Sequence, residues 1–407
     1  MRTVFFVGAG RHQRGAIEQA RARGLRVATV DRDPEAPGLA SADVAAVVDF
    51  ADVDAVVELA RRTGIDGVLT VASDRAVTVV ANVAEELGLP GIGRKCAHRA
   101  THKLAMREAL RASGAAQPAF AGLRAPEDIE RALELVGLPA VVKPVDSGGQ
   151  RAVFRVETRE ALDGVLDEVI GESQAGEAIL EEFVDGLELN AVVVVRDGST
   201  TLVALSDRLR PPGVGFAVGW AHVHPATLSG EQLRLARRVA EESVTALGLR
   251  DAVAFPQLIA RPDGRISLVE VAARVPGGEM ASLVRHAVGV DLVDVALRQA
   301  LGEHVPDEMA LPRFSRPLAI RFLTAAPGQL PTGRVTRVGG LELVLAAEGV
   351  VQAGTYLQVG ETIRPVRRDG DRRGYVIATA DTPGEALRRA DAAAGRLTVE
   401  VEVEAAA

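Results

Sequence analysis

The first ninety residues alternate apolar strands with helices, and this alternation restricts the fold more than any other feature of the chain. TVFFV (residues 3–7), RVATVD (26–31), AAVVD (45–49) and GVLTV (67–71) are short Val-rich runs, separated by helical stretches at 12–23, 53–62 and 75–87. Strands that are apolar along their whole length are covered on both faces, and an intervening helix makes their connections parallel. The expectation is a doubly wound, Rossmann-like α/β domain over residues 1–95, with a break at GLPGIG (88–93).

The pattern changes after residue 96. Helices are expected near 97–111, 127–135, 158–169 and 230–247, with strands AVVKP, AVFRV, AILEEF, LNAVVVV, TTLVALS, AVAFPQLIA and RISLVE between them. Several of these strands follow one another without a helix, so residues 96–310 read as an α+β domain with a largely antiparallel sheet. Residues 311–407 read as a small, mainly-β C-terminal domain with one helix at 384–394 and a fraying tail, VEVEAAA. A chain of 407 residues has room for three such units.

The net charge of −8 argues against a nucleic-acid or membrane-surface role. No apolar run approaches the roughly 20 residues of a spanning helix. A single cysteine, Cys96, excludes an intramolecular disulfide, and the expected location is the cytoplasm.

Five stretches can carry chemistry. GAGRHQRG places Gly8, Gly10 and Gly15 between the first strand and its helix, and Asp31 ends the second strand. The last interval is wrong for a G-x-G-x-x-G dinucleotide fingerprint, and a helix start here suits a carboxylate or phosphate as well as NAD. In AVVKPVDSGGQRAV, Lys143 ends an apolar strand and Ser147-Gly148-Gly149 form a turn. An ammonium there can meet one phosphate while the turn's N–H groups cover others. Lys103 lies near the start of a helix in ATHKLAMREAL. AILEEFVDGLELNAVVV carries Glu181 and Glu188 on either side of a bend at Asp185-Gly186. It reads as a ribbon whose free backbone groups suit an adenine edge and whose carboxylate suits ribose hydroxyls. LVEVAARVPGG (268–278) ends a buried strand in Glu270 and follows it with Arg274 and Pro276-Gly277-Gly278.

Three weaker features remain. His222 and His224 share one face of a strand, with no third metal ligand in view. The Gly/Pro loop 208–220 carries the only Trp and reads as a candidate lid. Arg285, in the apolar helical stretch VRHAVGVDLVDVAL, is a candidate substrate contact.

Taken in order, Lys103, Lys143 with its SGGQ loop, EEFVDGLE and VEVAARVPGG resemble the ATP-grasp superfamily of carboxylate–amine ligases along nearly the whole chain. The resemblance implies that residues 96–310 form the nucleotide- and metal-binding ATP-grasp domain. It implies that Lys103 and Lys143 contact ATP phosphates under a loop of Ser147, Gly148 and Gly149. Glu181 would support the adenine amino group, Glu182 and Val184 would offer backbone to the ring, and Glu188 would bind the ribose. Glu270 would bind Mg2+, and Arg274 would face the transferred phosphate and acyl group. The implied partners are a small-molecule carboxylate and an amine, joined with release of ADP and phosphate; a homodimer is compatible.

Two positions depart from the pattern. Ala272 stands where an Asn is usual, and Gln257 stands where a first metal acid is expected. Gln257 is therefore assigned as a weaker second metal ligand, since its carbonyl oxygen brings no charge. The other readings are a carboxylase of the biotin or aminoimidazole ribonucleotide type, a non-catalytic ATP-binding regulator, and an oxidoreductase resting on residues 8–31 alone.

Overall fold

The computed structural model describes residues 1–149, 151–211 and 218–402. Its N-terminal sheet is parallel, in the order Val44–Val47, Arg26–Asp31, Thr3–Val7, Gly67–Leu69. All five residues of Thr3–Val7 are buried. Val4 and Phe6 pack with the helices Met280–Val288 and Leu292–Ala300, whereas Phe5 and Val7 pack with Val53–Thr63 and Arg75–Leu87. A strand covered on both faces has no polar alternation to show, which is why its sequence is continuously apolar.

The single helix expected near 97–111 is two helices, Arg94–Thr101 and Lys103–Ser113. His102 adopts an extended conformation between them, and its Nδ1 accepts the Ala105 N–H at 3.3 Å. This cap makes Lys103 the first residue of the second helix.

Two antiparallel sheets follow. The smaller runs Phe120–Leu123, Ala178–Glu182, Ala140–Pro144, Phe154–Val156. The larger has eight strands, in the order Ile266–Ala272, Ala252–Ala260, Leu187–Arg196, Ser199–Leu209, Ala221–His224, Leu318–Phe322, Gly374–Thr379, Val350–Thr355. The last three strands continue it past residue 310 into the C-terminal region. Gly333–Gly339 builds a separate three-stranded sheet with Thr362–Ile363 and Thr398–Glu402.

Alternation along Leu187–Arg196 assigns the faces of the large sheet. Leu189, Ala191, Val193 and Val195 pack with residues of the helix Gly230–Leu247. Val192 and Val194 face the opposite core. Glu188 and Asn190 share the parity of the second set, so that face turns polar toward one end.

The strands on either side of Asp185-Gly186 do not form the expected ribbon. Ala178–Glu182 belongs to the small sheet and Leu187–Arg196 to the large one, so residues 183–186 cross from one sheet to the other. The crossing stays tight because Gly186 has no side chain: a Cβ there would lie 2.1 Å from the Ala260 carbonyl oxygen, at φ +146°. Among the described residues no helix is long and apolar enough to cross a membrane.

Candidate active site

The two antiparallel sheets and the N-terminal domain enclose a cleft of about 940 Å3. Lys103, Lys143, Ser147, Gly148 and Gly149 line it, as do Glu181, Glu182, Val184, Glu188, Gln257 and Glu270. The lysines come from the Lys103–Ser113 helix and the small sheet, while Glu270 and Gln257 come from the large sheet. The polar groups on its walls therefore belong to elements far apart in sequence.

Lys143 is buried at its strand end, with its Nζ 2.8 Å from Glu181 Oε2. The other oxygen of Glu181 accepts from Arg107 Nε at 2.8 Å. Burial alone would raise the Glu181 carboxyl, but Arg107 and Lys143 outweigh it and hold the pKa at about 2. Both Glu181 oxygens are thus engaged by cations, and the contact expected with an adenine amino group has to share them. Arg107 also donates to the carbonyls of Leu268 (3.1 Å) and Val269 (2.8 Å), just ahead of Glu270. It therefore ties the helix to both sheets. Sequence reasoning missed Arg107, although its i+4 spacing from Lys103 puts both on one helix face.

Lys103 Nζ donates to the Ser147 carbonyl at 2.7 Å, so the first lysine already touches the glycine loop. Burial lowers its pKa, and Glu270 opposes that shift. Glu182 pairs with Arg261 at 2.8 Å. Glu188 is held by Arg208 and, at 3.3 Å, by Arg210.

Glu270 lies directly opposite Gln257 in the antiparallel register, and Gln257 lies opposite Asn190 on the next strand. Neighbouring strands are about 4.8 Å apart, so three oxygen-bearing side chains form one short row. Asn190 is buried, and its Oδ1 has no hydrogen-bond partner. A carboxylate and two amide oxygens are the hard donors that Mg2+ takes, so the residues present fit that ion. Asn190 carried no motif that would mark it in the sequence.

Arg274 is not on the wall of the cleft. Its guanidinium is turned onto Asp74, which is, with Nε and Nη2 donating to the two carboxylate oxygens at 2.8 and 2.9 Å. Beyond Arg274 two more arginines, Arg11 and Arg372, gather around His12 at the N-terminal glycine turn. Burial pushes the His12 imidazole down to about 4, helped by Arg11, Arg372 and Arg274. Arg11 stacks 4.5 Å from the Tyr356 ring, and the Tyr356 hydroxyl donates to Glu279 at 2.9 Å. Arg372 is buried against Phe322 and fixed by the Gly219 carbonyl and Asp369. Arg11 is open to water on this side.

Other expectations resolve differently. The Asp31 carboxylate accepts the Ala9 N–H at 2.7 Å, so it serves the glycine turn. Arg285 is exposed and bonded to Gln19 and Asp291, outside the cleft. His222 and His224 are buried, bonded to Asn190 (3.0 Å) and to the Leu205 carbonyl (3.1 Å). Gln150 of the SGGQ turn, residues 212–217 of the candidate lid and the tail from 403 lie outside the described residues.

Residues 17–91 match the ATP-grasp N-terminal domain, 98–308 the carbamoyl-phosphate synthase L chain ATP binding domain, and 321–402 the L-amino acid ligase C-terminal domain 2. The chain is 26% identical to a formate-dependent phosphoribosylglycinamide formyltransferase of Ignicoccus hospitalis, over 97% of this chain and 96% of that protein. It is 25% identical to the alanine–anticapsin ligase of Bacillus subtilis, over 60% of this chain and 56% of that one. The crystal structure of an L-amino acid ligase from Bacillus licheniformis superposes with a TM-score of 0.86 at 22% identity, covering 99% of each chain.

Proposed function

Because this chain belongs to the ATP-grasp superfamily of ATP-dependent ligases, we propose that it joins the carboxylate of an amino acid or small peptide to an amine, with release of ADP and phosphate. A carboxylate oxygen attacks the γ-phosphorus of ATP and the bond to the β-γ bridging oxygen breaks, giving an acyl phosphate and ADP. The amine then forms the C–N bond as phosphate leaves. Counted from its ammonium form, the amine gives one proton to the departing phosphate and one to solvent, and the third stays on the amide nitrogen. The mixed anhydride divides one hard condensation into two accessible steps.

The observation that carries this reading is the opposition across one cleft of two lysines with a glycine loop and the Glu270–Gln257 pair. Lys143 and Lys103 are placed to meet a polyphosphate, with Ser147, Gly148 and Gly149 beside them. The crossing at Glu182 and Val184 is the adenine end, and Glu188 the ribose end. Glu270, Gln257 and Asn190 would hold Mg2+, which when bound offsets negative charge on the phosphate oxygens. Arg274 lies between the cleft and the cations Arg11 and Arg372, with the neutral His12 beside them. That position supports substrates that carry a carboxylate of their own, as amino acids and peptides do. Consumption of ATP supports a cytoplasmic location.

The test is a screen of amino acids and dipeptides for stimulated phosphate release, with mass spectrometry of the products. ADP is expected, and hydroxylamine in place of the amine should yield a hydroxamate. AMP and pyrophosphate would mean adenylation and would overturn the mechanism. The neutral side chains at Gln257 and Ala272 favour one second reading, an ATP binder without turnover. It would be supported by ATP binding with no product from any acid.

A further inference from the structure

We propose that Asp74, on the N-terminal domain, is a positioning residue that orients Arg274 for phosphoryl and acyl transfer. The inference rests on the ligase reading and extends it to a residue outside the ATP-grasp domain.

Asp74 immediately precedes the helix Arg75–Leu87, where an Asp ordinarily caps the first free N–H groups. Asp52 and Asp291 do so at their helices. Asp74 makes no cap hydrogen bond, and its carboxylate is given to Arg274 instead. A bidentate pair fixes the plane of a guanidinium as well as its place. Among the described residues, the hydrogen bond of Arg274 Nη1 is a long one of 3.4 Å to the Val275 carbonyl, so one edge of the group remains for an incoming anion.

The backbone around the pair is pinned from both sides. Val71 bridges to Val275, and the Ala72 N–H donates to the Val275 carbonyl at 3.0 Å. Ala72 takes φ +61°, a conformation that a non-glycine residue holds only where its surroundings enforce it. The buried Gln13 donates to the Val71 carbonyl. Gly277 packs so close that a Cβ there would sit 2.7 Å from Ala72 Cβ. The segment 71–74 and the segment 274–277 thus form one rigid contact between domains.

Asp74 also borders the chemistry. It lines the cleft, a Cβ on Gly148 would lie 3.5 Å from its Oδ2, and its charge acts on Lys103. Its side chain is 41% exposed while that of Arg274 is 11% exposed, so the acid is the wet partner and the arginine the enclosed one. In this arrangement Asp74 neutralises Arg274 before reaction and holds its free edge in place. The attraction of Arg274 for phosphate is then kept for the transition state, where it raises turnover without tightening ATP binding.

The experiment compares wild type, Asp74→Ala, Asp74→Glu, Arg274→Ala and the Asp74→Ala/Arg274→Ala double variant in the hydroxamate assay, with ATP affinity by calorimetry. Misplacing a reacting group by about 1 Å can cost roughly 100-fold in rate, so a 10- to 100-fold fall in kcat is expected for Asp74→Ala, with ATP affinity within about twofold. Asp74→Glu should recover part of the rate. In the Arg274→Ala background, removing Asp74 should change the rate by less than about twofold, because both substitutions remove one function. Wild-type kcat in Asp74→Ala, or losses that simply multiply in the double variant, would overturn the proposal. Wild type that binds ATP but converts no acid would instead defeat the ligase reading. In that case the Arg274 Nε–H resonance still decides the pairing: it should be slow to exchange in wild type and fast in Asp74→Ala. An equal exchange rate in the two would end the proposal.

Discussion

The buried acid Glu181 shows how a single residue prepares the site for a polyphosphate. A carboxylate with no partner would be strongly destabilised there, and Arg107 and Lys143 supply two. Arg107 is fully buried and tied to two backbone carbonyls, so it stays, whereas Lys143 has room to exchange its carboxylate for a phosphate. Lys143→Ala should therefore weaken ATP binding by about 2–4 kcal/mol and leave the fold intact. Calorimetry with ATP is the check, and unchanged affinity would remove Lys143 from the phosphate site. Arg107→Ala should cost about 3–5 kcal/mol of stability, because it strips a buried charge of its fixed partner. Urea denaturation measures that loss, and a midpoint equal to wild type would show that the pair is not structural. At the metal row the argument concerns charge. Glu270→Gln leaves only neutral oxygens opposite a dication, so turnover should nearly vanish. Gln257→Glu should lower the Mg2+ concentration for half-maximal rate. A magnesium titration of ATP turnover reads both, and near-normal activity of Glu270→Gln would move the metal elsewhere.

Among the elements, the bend at residues 183–186 does most to form the cleft, because it carries the chain from the small sheet to the large one. Its geometry depends on Gly186 lying against the Ala260 carbonyl, so Gly186→Ala should force the bend outward. We expect a loss of at least about 1–3 kcal/mol in stability from strain. ATP affinity should fall several-fold as Val184 and Glu188 shift, and thermal melting with and without ATP separates the two effects. Elements of this kind were legible from the chain alone. Val-rich runs, Gly and Pro breaks and lysines at strand ends reflect local rules, and the strands at 26–31, 140–144 and 252–260 lie where those rules put them. Sheet membership was not legible, since no local signal says that 178–182 and 187–196 part company. The same holds for Arg107, Asp74 and Asn190. Arg107 looks like any helix arginine, Asp74 like a helix cap and Asn190 like a polar break in a valine strand. Each acquires a role only from a partner 74 to 200 residues away in sequence, or from its position in the Glu270 row.

Over the whole molecule, the eight-stranded sheet carries residues of the nucleotide cleft at one edge and the C-terminal strands at the other. Its middle strand holds two buried histidines. His222 lies well below its ordinary value of 6.5, first through burial and then through Arg372 and Arg208. His224 is also lowered by burial, partly opposed by its bond to the Leu205 carbonyl. His12, His102 and His286 shift the same way, so five of the seven histidines resist protonation in the folded chain. The unfolded chain protonates them near 6.5. Their contribution is therefore complete above that pH and declines below it, because the unfolded state then binds protons that the folded state refuses. Glu181, held at about 2 against 4.5 unfolded, adds stability that is lost only in a lower window, as pH falls from 4.5 toward 2. Acid destabilisation should thus begin between pH 6.5 and 5, ahead of any carboxylate. His222→Gln should flatten that first phase while leaving the second unchanged. Urea midpoints at pH 7.5, 6.5, 5.5 and 4.5 in wild type and variant are the measurement. A wild-type profile flat down to pH 5, or an identical slope in the variant, would mean that His222 does not stay neutral inside the sheet and that the two ends of the molecule are not joined by a core that excludes protons.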